Sequence, residues 1–232
     1  MPSELTRRTF LGTAGTLAAV AGTATAAETV AAGPGAKPIK VIGIGCSLRK
    51  GKTTAAAVQI CLDAIHAADP GIEVELIELA SLSLPAQVAA GVPLEPGQKD
   101  DFPTLIPKLN DPQVAGIVIG TPVYIGNMSS LCKALLERCM AFRKNNFALA
   151  NKVAGVIAVG GGRNGGQEQT IRSVHTALMS QQMILVGDAP PTAHWGGAVW
   201  NNKDDISGDE IGLATVKNLG KRVAEIARRM TK

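Results

Sequence analysis

The chain has 232 residues, 46% hydrophobic and 18% charged, with a formal net charge of +4 from 23 Lys plus Arg against 19 Asp plus Glu. That length and apolar content suit one globular domain with a full core. The charge is mild and concentrated in no stretch, and aromatics are only 3%, which argues against a phosphate-backbone footprint or a stacking platform for single-stranded nucleic acid.

The chain opens with an export pattern. Thr6-Arg-Arg-Thr-Phe-Leu11 matches the twin-arginine signal S/T-R-R-x-F-L, and a weakly hydrophobic Ala/Gly/Thr stretch follows to Ala27. Ala24-Thr-Ala26 offers a cleavage site. The stretch is short and threonine-rich for a bilayer core of about 30 Å, so cleavage is favoured over retention as an anchor. The expected organisation is a signal peptide over 1–26, a flexible linker over 27–38 and one domain over 39–232. Twin-arginine export carries folded proteins, so the expected location is the periplasm or beyond.

Within the domain, strand and helix patterns alternate. Residues 39–45 form an apolar run, followed by a helical pattern over 54–68 that Asp69-Pro-Gly71 stops. Residues 72–79 alternate apolar with Glu73 and Glu75, as an edge strand with one wetter face does. Residues 80–99 form a long Pro/Gly-rich connection, which in a compact domain has a task or packs on a partner. A short helix over 100–109 leads to a continuous apolar run over 114–120, the mark of a strand buried on both faces. A helix over 129–143, a buried strand over 153–159, a helix over 165–179, a short strand over 183–186 and a last helix over 207–230 complete the order. Five strands alternating with helices predict an α/β fold, a parallel sheet covered on both faces.

In such sheets ligands bind beyond the carboxyl ends of the strands, and three unusual loops fall there. The first, Gly45-Cys-Ser-Leu-Arg-Lys-Gly-Lys-Thr-Thr54, joins a strand to a helix N-terminus, where N–H groups and the helix dipole favour an anion. Ser47, Thr53 and Thr54 can donate hydroxyl hydrogen bonds and Arg49 can pair with a dianion, while Thr53 or Thr54 stands where it can cap the helix. A P-loop nucleotide site is the competing reading. Gly51-Lys52-Thr53 fits its end, but Cys46 stands where its first glycine belongs, and the run over 114–120 ends in Thr121-Pro122 rather than an Asp for magnesium.

The second loop, Gly120-Thr-Pro-Val-Tyr-Ile-Gly-Asn127, holds the chain's one tyrosine. Pro122, Val123 and Tyr124 can offer an apolar face, and the backbone through Gly126 and Asn127 can meet a ring edge. The third, Gly160-Gly-Gly-Arg-Asn-Gly-Gly-Gln-Glu168, lets backbone approach a ligand without Cβ obstruction, with Arg163 as a cation. His175 and His194 lack ligand-spaced partners for a metal. Cys132 and Cys139, seven apart, cannot bridge within one helix and read as buried thiols.

Taken in order, these three motifs resemble the NADPH-dependent FMN reductase family, the third loop especially its iron–sulfur flavoprotein branch. The resemblance implies a flavodoxin-like three-layer sandwich, a five-stranded parallel sheet in the order 2-1-3-4-5, with FMN at the carboxyl edge. It implies that Ser47, Arg49, Thr53 and Thr54 hold the phosphate. Pro122, Val123, Tyr124, Gly126 and Asn127 then line the ring, with Gly161, Gly162 and Arg163 on its other side. The activity implied is an FMN-dependent oxidoreductase with NAD(P)H as donor, passing hydride or electrons through the flavin to a small-molecule or redox-protein acceptor, with no acid–base catalytic residue of its own.

This sequence departs from the iron–sulfur branch where a cysteine cluster follows the second strand, because 81–99 contains no cysteine. No iron–sulfur cluster and no other metal is therefore expected. Export also separates the chain from cytoplasmic pyridine nucleotides. A flavodoxin-like one-electron carrier is the alternative, though such carriers are acidic and this chain has pI ≈ 8.9. Apolar residues within 86–96 predict a homodimer or homotetramer.

Overall fold

The computed structural model describes residues 38–231; the export pattern and most of the linker lie outside them. A seven-stranded sheet forms the middle layer. Its strands are β1 (Ile39–Gly45), β2 (Ile72–Glu78), β3 (Val114–Tyr124), β4 (Asn127–Met128), β5 (Val153–Gly160), β6 (Ile184–Leu185) and β7 (Gly197–Trp200). Among the described residues six helices flank it: α1 (Thr53–Ala68), α2 (Phe102–Leu109), α3 (Ser130–Arg138), α4 (Met140–Lys144), α5 (Gln167–Met179) and α6 (Glu210–Met230).

The main path runs β2-β1-β3-β5-β6, all parallel, which is the order expected once the short strands are set aside. Alternation along the central strands supplies two apolar faces. Ile42, Ile117, Ile119 and Val156 pack with α2, α3, α4 and α5 on one side. Val41, Val118, Ile157 and Val159 pack with α1 and α6 on the other. β2 is the edge strand that its glutamates suggested, with Glu73 and Glu75 both paired to Lys40.

Beyond shifts of one or two residues at element ends, four features differ from expectation. The fifth strand position is filled twice, by β6 beside the start of β5 and by β7 beside its end. Between them lie Pro190 and Pro191, which have no amide N–H to extend a ladder. The third strand runs on through Pro122 to Tyr124 and folds back as β4, making the second loop a hairpin. The helix over 129–143 breaks at Cys139 into α3 and α4, and Phe142 beyond the break packs edge-on against Phe102 at 6.0 Å. The last helix begins at Glu210 because the Asp209 carboxylate accepts from Gly212 N and caps it.

The segment over 80–99 holds two 3-10 turns, Leu79–Ser81 and Ala86–Ala90. It is fastened by Arg138 on α3, whose guanidinium donates to Pro85 O at 3.0 Å and to both carboxylate oxygens of Asp100 at 2.9 and 2.7 Å. Arg138 is buried and Asp100 half-buried, and the guanidinium holds the Asp100 carboxyl below the usual carboxylate range.

The position of α1 over the sheet depends on two missing side chains. A Cβ on Gly43 would lie 2.5 Å from Val58 Cγ1, and one on Gly120 would lie 2.2 Å from Val58 Cγ2. Glycine at both places lets α1 sit directly on β1 and β3, which fixes where its N-terminus points. Gly120→Ala should therefore lower stability by about 1–3 kcal/mol through overpacking; an unchanged urea midpoint would show that α1 is not seated on this contact.

Candidate functional site

Because β1, β3 and β5 are parallel neighbours, their three following loops leave the same edge of the sheet. The first runs over 46–52. Its start is bonded to β3, Cys46 N donating to Gly120 O at 2.7 Å. Ser47 is buried, and its Oγ accepts Arg49 N at 3.0 Å, folding the loop back on itself. Gly51 N donates to Glu78 Oε2 at 2.7 Å.

Helix α1 follows, and its N-cap is Lys52, with no side-chain cap bond, so neither Thr53 nor Thr54 caps it. Both threonines are buried in the first turn instead, with Thr54 against the Gly120 position of β3. The first-turn amides of a helix have no intrahelical acceptor. At α3 and α6 a side chain meets one of them; at α1 none does.

The hairpin of β3 and β4 carries the second group. Pro122 is buried in register with Val159 of β5, Val123 is half-buried, and Tyr124 is exposed at the strand end. The turn is Ile125-Gly126, at φ 50° and 71°, the left-handed pair that a two-residue hairpin requires. Asn127 stands in β4 opposite Tyr124. The Arg49 guanidinium is held above its ordinary range chiefly by Asp204, and the Tyr124 phenol beside it adds to the shift. Loop one is tied to the strand that feeds the hairpin by the Cys46 N–Gly120 O bond.

The third loop, over 161–166, touches the hairpin from its other flank: a Cβ on Gly166 would lie 3.2 Å from Gly126 Cα and 3.6 Å from Val123 Cγ1. This loop is pinned. Gln167 Nε2 donates to Gly162 O at 2.6 Å and to Val199 O at 3.2 Å, and Gln167 Oε1 accepts Gly165 N at 2.9 Å. Trp200 Nε1 donates to Gly161 O at 3.3 Å. Arg163 is paired with Asp209. Burial pushes the Asp209 carboxyl up, but Arg163 and the N–H groups of Trp200 and Gly212 outweigh it and hold the group low. Above Gly51, Gly126, Gly161 and Gly162 lies open space, with no atom within 4 Å of an added Cβ.

The structure thus brings all twelve expected residues to one edge. It also supplies residues that sequence reading passed over. Ser129 is the knot of the site: its buried Oγ donates to Cys46 O at 2.6 Å and accepts Cys132 N at 3.1 Å, while its own N–H donates to Thr121 Oγ1 at 3.1 Å. A serine just before a helical run is a cap signal, and counting it as helix hid it. Glu78, Trp200, Asp204 and Asp209 had no local signal, since each reaches the site only through the fold. His194 and Trp195 lie elsewhere, lining a cavity of ≈ 390 Å³ with His175 and Arg172 on the flank of α5.

A model of the NADPH-dependent FMN reductase family matches residues 39–196. The chain belongs to the NADPH-dependent FMN reductase family. It is 41% identical over 198 residues to an iron-sulfur flavoprotein of Methanocaldococcus jannaschii, covering 84% of this chain and 100% of that one. It is 33% identical over 191 residues to an iron-sulfur flavoprotein of Methanosarcina thermophila, covering 81% and 95%. An NAD(P)H dehydrogenase (quinone) of Chromohalobacter salexigens is 34% identical over 121 residues, covering 50% and 56%. Solved structures share the fold at low identity. A WrbA-like flavodoxin of Agrobacterium tumefaciens has TM-score 0.56 at 16% identity, covering 84% of this chain and 100% of that one. An NADH:FMN oxidoreductase has TM-score 0.55 at 18%, covering 84% and 90%. The fold is flavodoxin-like, and as a family member the chain is an FMN-dependent oxidoreductase.

The edge fits the family's cofactor: an uncapped helix start, hydroxyls and a cation stand beside an apolar hairpin and an open glycine loop. It does not fit a metal cluster. All four cysteines are buried and unbridged. Burial pushes the Cys139 thiol up to about 12, and the neighbouring Cys132 together with burial raises Cys46, whereas cluster ligands are thiolates. Among the described residues no group of three His, Cys, Asp or Glu side chains is arranged to hold a metal ion. Where its relatives are named for a cluster, this chain's segment over 81–99 has no cysteine and is held by Arg138.

Ser129→Ala should remove the cap of α3 and leave Cys46 O without its donor, lowering stability by about 2 kcal/mol. Urea unfolding reads this directly; a loss under a few tenths of a kcal/mol would show that Ser129 does not tie the loops.

Proposed function

We propose that this chain is an exported NAD(P)H:acceptor reductase that holds FMN across the three loops. The observation that carries the reading is the convergence of the first loop with its Arg49, the uncapped start of α1, the hairpin at Tyr124 and the pinned glycine loop on one sheet edge. The phosphate would meet the first-turn amides of α1, the hydroxyls of Ser47, Thr53 and Thr54, and the Arg49 guanidinium. A charge-assisted hydrogen bond contributes roughly 1.5–3 kcal/mol where solvent is excluded and less at Arg49, which is half-exposed. Pro122, Val123 and Tyr124 would wall one face of the ring, with the Gly126–Asn127 backbone at its edge. Gly161, Gly162 and Arg163 would close the opposite side.

When bound, FMN supplies hydride or electron transfer at its isoalloxazine ring. The chain supplies position. Three carboxylates at this edge are engaged: Glu78 with Gly51 N, Asp204 with Arg49, and Asp209 with Arg163. The donor is taken to be a reduced pyridine nucleotide, by kinship with the family. The acceptor is a small molecule or redox protein, and the assembly a homodimer or homotetramer. The basic pI argues against a one-electron carrier, and the missing first glycine of the P-loop pattern against a nucleoside triphosphate.

The purified chain should show a flavin visible spectrum and oxidise NAD(P)H with a quinone or ferric acceptor. Arg49→Ala should weaken FMN about tenfold while leaving riboflavin nearly unaffected, because only the phosphate is lost as a partner. A colourless protein that ignores micromolar FMN would end this assignment.

Export rests on the pattern over 6–11. With a reporter fused behind residue 40, replacing Arg7 and Arg8 together by Lys should leave the reporter in the cytoplasm, while the unaltered sequence carries it out. Equal distribution of the two would remove export from the reading.

A further inference from the structure

Residues 201–208 run across the open side of the site, beyond the end of the family match at residue 196. They start at the third loop, where Asn201 N donates to Gly160 O at 2.7 Å. They end at Asp209, the partner of Arg163 and the cap of α6. Between these anchors the chain makes a two-residue hairpin, Asn202 N donating to Asp205 O at 2.8 Å and Asp205 N to Asn202 O at 3.0 Å. Its tip is Lys203-Asp204, at φ 51° and 68°. Both are left-handed, a conformation that Asn and Gly adopt with less strain than Lys.

The tip is aimed at the cations of the first loop. Asp204 Oδ1 lies 2.7 Å from Arg49 Nη1, and Asp204 Oδ2 lies 3.4 Å from Lys52 Nζ. A carboxylate from far along the chain thus stands on the cation pair at the mouth of the phosphate loop, and Arg49 chiefly, with Lys52, holds it ionised.

We propose that Asp204 is an internal stand-in for a ligand's phosphate: it occupies Arg49 and Lys52 until a phosphorylated ligand arrives, and then yields them. This rests on the reading of the edge as an FMN site. The exchange has a direction. A phosphate monoester carries about 1.5–2 negative charges and three acceptor oxygens, against one charge and two oxygens on the carboxylate, so it takes the guanidinium fork from Asp204. The exchange also has a consequence. Affinity for the phosphate is smaller than uncommitted cations would give, and weakly bound anions are kept off the loop. A flavin without phosphate exchanges nothing and is indifferent to Asp204.

The test compares FMN with riboflavin on wild-type protein freed of flavin and on Asp204→Asn. Asparagine tolerates the left-handed backbone, so the change removes charge and keeps the turn; Asp204→Gly, which relaxes the turn, serves as a second variant. Asp204 is on the surface, and the expected gain is that of an exposed pair, about two- to fivefold tighter FMN at low salt. Riboflavin should bind as before, and the gain should shrink at 1 M salt, where the Debye length is about 3 Å. Inorganic phosphate should compete with FMN better on both variants than on wild type. FMN bound equally or more weakly by both variants, or both flavins shifted alike, would make Asp204 a structural tie and overturn the proposal. Wild-type protein that binds neither flavin would instead overturn the FMN reading beneath it.

Discussion

Parallel pairing of β1 with β3, and of β3 with β5, is the constraint from which this site follows. Three neighbouring strands running the same way must release their chains at the same edge. Loops far apart in sequence then lie within side-chain reach. The pairing needs a sheet buried on both faces, and the near-continuous apolar runs of β1, β3 and β5 supply one. Gly43 and Gly120 then admit Val58 of α1 into the sheet surface, which sets the helix start beside the strand ends rather than above them.

Convergence alone would leave the loops loose. Ser129 ties the first to the second through a fully buried hydroxyl that both donates and accepts. Gln167 and Trp200 tie the third to the sheet. Bonds of this kind contribute about 1 kcal/mol each, but leaving one partner buried and unmet costs more. The network therefore specifies one loop arrangement more strongly than it raises overall stability. Its charges follow the same logic: Arg49 and Arg163 are each held by a carboxylate carried on residues 201–209, so that one segment orders both rims of the site.

The segment over 80–99 is a cysteine-free connection in a chain whose relatives carry a cluster in their names. The relatives that this chain covers nearly in full are named iron-sulfur flavoproteins, yet here the connection carries no cysteine. A bidentate pair of buried Arg138 with half-buried Asp100 fixes it instead, with the guanidinium 4.7 Å from the Phe102 ring centre.

Much of this protein is local in origin. The apolar runs and their spacing determined the α/β class, while the strand order came with the likeness of the three loop motifs to a known family. The glycine-rich stretches at strand ends determined which loops carry the site, since turns and helix starts are written in neighbouring residues. The hairpin beyond Pro122, the doubled last strand and the break at Cys139 were decided by tertiary structure, because a strand's true length depends on the partner it finds. So were the roles of Glu78, Asp204 and Asp209. An acidic residue on a surface turn has no periodicity and no motif, and Asp204 comes to lie on Arg49 only because β7 pairs with β5 and delivers the following chain to that edge. Sequence spacing records what neighbours do; charge pairing across 155 positions exists only once the sheet has formed.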